Sequence, residues 1–106
     1  MRLTSNEVSV FISVLSAYLD QGDGRLFLYG SRIDDALKGG DIDLLVVLRS
    51  SEKAEWVAGE RHHILKLMKD RLGERRIDLS IVSESESLSD PFYRGVLSTA
   101  ILLKEY

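Results

Sequence analysis

The stretch Leu28-Tyr29-Gly30-Ser31-Arg32-Ile33-Asp34-Asp35-Ala36-Leu37-Lys38-Gly39-Gly40-Asp41-Ile42-Asp43-Leu44-Leu45-Val46-Val47-Leu48 divides into three parts. An apolar run from Leu26 to Tyr29 stops at Gly30-Ser31, a short polar segment closes on Gly39-Gly40, and a more strongly apolar run then opens with Asp41 and Asp43. Strand side chains alternate with period 2, so Asp41 and Asp43 share a face at the mouth of a strand. Carboxylates that close repel each other unless a cation lies between them. An all-oxygen donor set suits a hard ion such as Mg²⁺, which takes one or two carboxylates plus substrate phosphates. Gly30-Ser31, at a strand-to-helix turn, offers the complement: free backbone N–H groups and the positive end of a helix dipole. Glycine lets the backbone approach a phosphate with no Cβ in the way. An anion cradle and a cation site joined by one short loop imply a metal–nucleoside triphosphate complex.

A third carboxylate lies further on. Arg76 to Val82 reads as a strand with Ile77, Leu79 and Ile81 on one face and Asp78 and Ser80 on the other. A charge inside an apolar strand is expensive unless paired. A salt bridge to a helix arginine would satisfy Asp78, but with Asp41 and Asp43 at hand a shared cation is the simpler partner. A lone Gly-Ser is usually a capping serine and a lone Asp-x-Asp is often a solvated turn. Their occurrence in order, with Asp78 after them, makes the signal.

Gly30-Ser31, nine residues, then Asp41-Ile42-Asp43 ahead of a hydrophobic strand resembles the signature of the DNA polymerase β-like nucleotidyltransferase superfamily. The chain looks most like the minimal nucleotidyltransferases, whose third carboxylate matches Asp78, and the resemblance runs from about Leu26 to the C-terminus. It departs at Lys38-Gly39-Gly40, where many members carry Pro or Arg. The resemblance implies a palm-like fold and transfer of a nucleoside monophosphate, AMP from ATP in the first place, with release of pyrophosphate. Asp41, Asp43 and Asp78 would be the catalytic carboxylates and hold two Mg²⁺ ions. Gly30 and Ser31 would bind the β- and γ-phosphates, with Arg32 and Lys38 towards the leaving pyrophosphate. Small proteins of this kind are commonly paired with a HEPN-domain RNase toxin. The implied role is therefore an antitoxin that adenylylates a hydroxyl of its partner, a tyrosine first among them. Two other readings stand beside it: a module that neutralises a partner by contact without turnover, and modification of a small molecule in a pocket at a dimer interface.

Composition narrows the field. At 106 residues the chain is expected to form one domain, 1–106. With no cysteine, disulfides and thiolate metal sites are excluded and a reducing compartment is expected. The polar start through Glu7 and strand-length apolar runs give no signal peptide or membrane span, so a cytoplasmic protein is expected. A net charge of −3 with interspersed signs argues against a nucleic-acid substrate, which calls for a basic footprint. Arg71, Arg75 and Arg76 read as cations dressing a helix C-terminus.

Elsewhere the pattern is regular. Thr4 with Glu7 forms a capping box for a one-faced helix to about Leu19. Ser31 to Leu37 predicts a short helix, and residues 52–72 one long amphipathic helix ended by Gly73 and weakened by Gly59. His62-His63 point about 100° apart and read as surface residues rather than metal ligands. Ser83 to Ser87 reads as a solvated loop, Asp90-Pro91 opens a last helix, and Thr99 to Leu103 ends in extended chain. The order helix, strand, short helix, strand, long helix, strand, helix predicts an α/β domain with a single small mixed β-sheet covered by helices.

Overall fold

A computed structural model of the chain describes residues 3–30 and 41–106. The short helix expected over Ser31 to Leu37, with the expected phosphate-binding Ser31, Arg32 and Lys38, lies outside the described residues. The elements are α1 (Ser5–Ser16), β1 (Gly24–Tyr29), β2 (Ile42–Leu48), α2 (Ser51–Gly59), α3 (Arg61–Leu72), β3 (Ile77–Ser83), α4 (Glu84–Ser89), α5 (Pro91–Thr99) and β4 (Ile101–Glu105). The sheet order is β3-β2-β1-β4. β2 runs parallel to β3 and antiparallel to β1, and β4 is antiparallel to β1, so the sheet is mixed as expected.

β2 is the centre of the molecule. Its residues from Leu44 to Leu48 are all buried on both faces of the sheet, as their unbroken apolar run requires. Leu44, Val46 and Leu48 join Leu26, Leu28, Ile77 and Leu79 in a core closed by Phe11 and Leu15 of α1, Val57 of α2 and Ile64 and Met68 of α3. Leu45 and Val47 face the other way with Phe27 and Val82, under Tyr93, Val96 and Leu97 of α5. Each fully buried aliphatic side chain contributes about 1.5–3 kcal/mol. Among the described residues no helix is long and apolar enough to cross a membrane.

The caps form as read. Thr4 accepts from the Glu7 amide at 3.1 Å while the Glu7 carboxylate accepts from the Thr4 amide at 2.9 Å. Ser50 caps α2, and Asp90 caps α5 with Pro91 at its first turn. Three expectations are corrected. α1 ends at Ser16 rather than near Leu19. The helix expected over 52–72 is two helices broken at Gly59-Glu60, where Glu60 sits at φ −95°, ψ 5°. The segment taken for a solvated loop is α4, capped by Ser83, with Ser87 buried and donating to the Glu84 carbonyl. The extended chain expected after Thr99 is present, and it pairs with β1 as a fourth strand.

The arginines near Gly73 are likewise more than helix dressing. Arg71 donates to Ser13 at 3.0 Å, fastening α3 to α1. Arg75 donates to the second oxygen of Glu7 at 2.9 Å, and Glu7 is only 4 % exposed. Both Glu7 oxygens are therefore used, one in the cap and one in an ion pair spanning the chain. Arg75→Met leaves a buried carboxylate oxygen without its donor, and a loss of about 1–3 kcal/mol is expected. Urea unfolding at pH 7 checks this; an unchanged midpoint would mean that water replaces the guanidinium at no cost.

Candidate active site

The ladder brings the separate carboxylates together. Tyr29 of β1, Asp43 of β2 and Asp78 of β3 are register partners, so the three side chains stand in one row across the sheet on one face. Asp41 immediately precedes β2, two residues from Asp43. Deeper along the same face the row of Phe27, Leu45 and Ser80 follows, and from Leu45 onward α5 covers it. The carboxylates lie just beyond that cover: Asp43 is half-buried, while Asp41 and Asp78 are exposed. A hollow of about 200 Å³ lined by Asp41, Lys69, Arg76, Ile77 and Asp78 opens on the β3 side.

Gly30 closes the row at its other end. It has φ +79°, a left-handed conformation, and a Cβ built there would collide with Asp43 Oδ2. The turn thus needs glycine twice over, once for its backbone and once for the space beside the carboxylate. This carries the expected Gly30 next to Asp43.

The electrostatics follow from placement. Burial pushes the Asp43 carboxyl above its ordinary value, and the charges of Asp78 and Asp41 push it further in the same direction. Burial also raises the Tyr29 phenol; Ser80 opposes that rise, and Asp43, Asp78 and Tyr93 add to it. Tyr93 of α5 is raised by burial and then by Glu86, Asp90 and Asp78. Two arginines stand at the outer carboxylates. Arg61, the first residue of α3, lies 3.5 Å from Asp78 Oδ1, and Arg76 lies 4.0 Å from Asp41 Oδ1. Asp78 therefore has a helix arginine beside it.

A divalent cation is the group this arrangement implies. The donors fit in kind, being oxygen-only, and in placement, being carboxylates on one face whose mutual repulsion raises Asp43. As the side chains stand, no three ligating groups among the described residues come close enough to hold an ion. His62 and His63 take no part: their rings lie 4.0 Å apart and His63 Nδ1 pairs with Glu60 at 2.8 Å.

Sequence reasoning puts Asp41 and Asp43 on one face of a strand and Ser80 on the face of Asp78, but misses Tyr29, Tyr93, Arg61 and Arg76 as neighbours of the carboxylates. Tyr29 was within reach, because a residue directly before the Gly30 turn on an antiparallel neighbour falls opposite the first strand positions of β2. Arg61 carried no such signal, because the helix start that brings it to Asp78 follows from the break at Gly59-Glu60.

The nucleotidyltransferase domain model matches residues 11–103, nearly the whole chain. The chain belongs to that family, and its four-stranded mixed sheet with packed helices is consistent with the polymerase β-like nucleotidyltransferase fold. No curated protein matches the chain.

Proposed function

We propose that the protein transfers a nucleoside monophosphate, AMP from ATP in the first place, to a hydroxyl of a separate protein. The observation that carries this reading is the row of Asp43 and Asp78 across β2 and β3, with Asp41 two residues away and Gly30 pressed against Asp43. In the transfer a bond forms between the acceptor oxygen and the α-phosphorus while the α–β phosphoanhydride bond breaks and pyrophosphate leaves. Asp41, Asp43 and Asp78 would hold magnesium, which supplies charge neutralisation at the attacking and leaving oxygens. Asp78, farthest from Gly30 in the row, would take the hydroxyl proton. Gly30, at the β1 end, leaves the backbone open to the triphosphate. The partner implied by the resemblance is a HEPN-type RNase toxin, which would make the chain an antitoxin of a toxin–antitoxin pair acting by adenylylation.

The arginines beside Asp41 and Asp78 favour a second reading, in which the carboxylates are held by protein cations and the domain neutralises its partner by contact alone. One experiment separates the two. Purified protein is incubated with Mg²⁺ and each of four α-labelled nucleoside triphosphates, with and without cell lysate, beside an Asp41→Asn/Asp43→Asn variant. A labelled protein band that requires both aspartates is the expected result, and its mass identifies the acceptor. Nucleotide binding with no transfer in any combination would favour the contact reading.

A further inference from the structure

We propose that Arg61 is a positioning residue that fixes the Asp78 carboxylate for metal binding; this rests on the metal-dependent reading above. Arg61 comes from the opposite side of the β3 edge. Its Nε donates to the Leu79 carbonyl and its Nη2 lies 3.5 Å from Asp78 Oδ1. Ile42 N donates to the Arg76 carbonyl in the β2–β3 ladder, so by alternation the carbonyls of Asp78 and Ser80 also face β2 while those of Ile77 and Leu79 point outward. Among the described residues Leu79 O is thus an edge acceptor without a strand partner, and the guanidinium fills it. One planar fork grips the backbone on one side and the adjacent side chain on the other, which a lysine's single ammonium does not reproduce.

The local sequence points the same way. α3 begins at Arg61 with no side-chain cap and no acidic residue in its first turn. A cation at that end works against the helix dipole and gains nothing for the helix itself. A residue that breaks a local rule is expected where it serves a site. Arg61 engages Oδ1 alone, which leaves the second oxygen of Asp78 available as a metal donor. Carboxylate ligands of metals are characteristically oriented by such outer partners, whose loss costs about 10–100-fold in metal affinity or activity.

A double-mutant cycle on Mn²⁺ binding tests this without turnover. Mn²⁺ affinity is measured by electron paramagnetic resonance for the wild type, Arg61→Met, Asp78→Asn and the pair, with Arg61→Lys as a fifth protein. Melting temperatures are recorded in parallel. Arg61→Met is expected to weaken Mn²⁺ about 10–100-fold, with melting little changed because the pair is half-exposed. In the Asp78→Asn background the same change is expected to have no further effect, and Arg61→Lys to recover only part of the loss. Equal Mn²⁺ affinity in wild type and Arg61→Met, or additive losses in the cycle, would overturn the role of Arg61 alone. A wild type that binds no Mn²⁺ would overturn the metal site and this role with it.

Discussion

Asp43→Asn is expected to lower nucleotidyl transfer by at least ~100-fold, equivalent to about 2.7 kcal/mol of transition-state stabilisation. Asp43 is the middle member of the row, with Asp41 and Asp78 both acting on it. On the proposed metal-dependent transfer, removing its charge would take away one of the carboxylates that would hold magnesium, and charge neutralisation dominates phosphoryl chemistry. The same substitution is expected to raise the melting temperature of the metal-free protein. The sign follows from the direction of the shift. A carboxyl whose folded-state pKa lies above its unfolded value opposes folding once ionised, and that opposition disappears as pH falls through the folded pKa. The stabilising effect of Asp43→Asn should therefore be present at neutral pH and vanish in acid. Thermal melts of both proteins between pH 3 and 8 read this directly. A variant less stable than wild type at pH 7 would mean that Asp43 makes a favourable contact outweighing the repulsion.

Gly30→Ala is the second large effect. Alanine would have to hold φ +79° and would push its Cβ against Asp43 Oδ2. The backbone strain alone costs about 1–2 kcal/mol. The displacement matters more for activity, since a shift of about 1 Å at a reacting centre can cost on the order of 100-fold. The expected result is a folded protein with a lower melting temperature and transfer reduced by ~10–100-fold. Adding Gly30→Ala to Asp43→Gly, which opens the space, should restore the stability lost to the collision but not that lost to the backbone. If Gly30→Ala retained full transfer, the glycine would serve only the turn.

The legible parts of the sequence were those set by local chemistry. The Thr4–Glu7 box, the Asp90-Pro91 start and the unbroken apolar run of β2 each depend on neighbours within a few residues. Asp41, Asp43 and Asp78 could be placed on a face because strand alternation is fixed by backbone geometry. The helix break at Gly59-Glu60 was hidden because a glycine costs a helix only about 1 kcal/mol, too little to decide between one helix and two. α4 was hidden because its Ser-Glu composition resembles a solvated loop, and its one buried residue, Ser87, is polar. β4 depends on pairing with β1, some seventy-five residues away in the chain, which no local pattern encodes. Arg61, Tyr29 and Tyr93 join the site by the same kind of long-range placement. The arginine beside Asp78 is the instructive case: strand alternation predicts that this carboxylate needs a partner, and the fold supplies Arg61 at Oδ1.

The most direct test is a crystal of the protein grown with Mn²⁺ and a non-hydrolysable nucleoside triphosphate analogue, examined by anomalous scattering. Manganese peaks between Asp43 and Asp78, with the triphosphate running towards Gly30, are the expected result. Manganese bound elsewhere, or a nucleotide bound away from the β2–β3 carboxylate row, would contradict it.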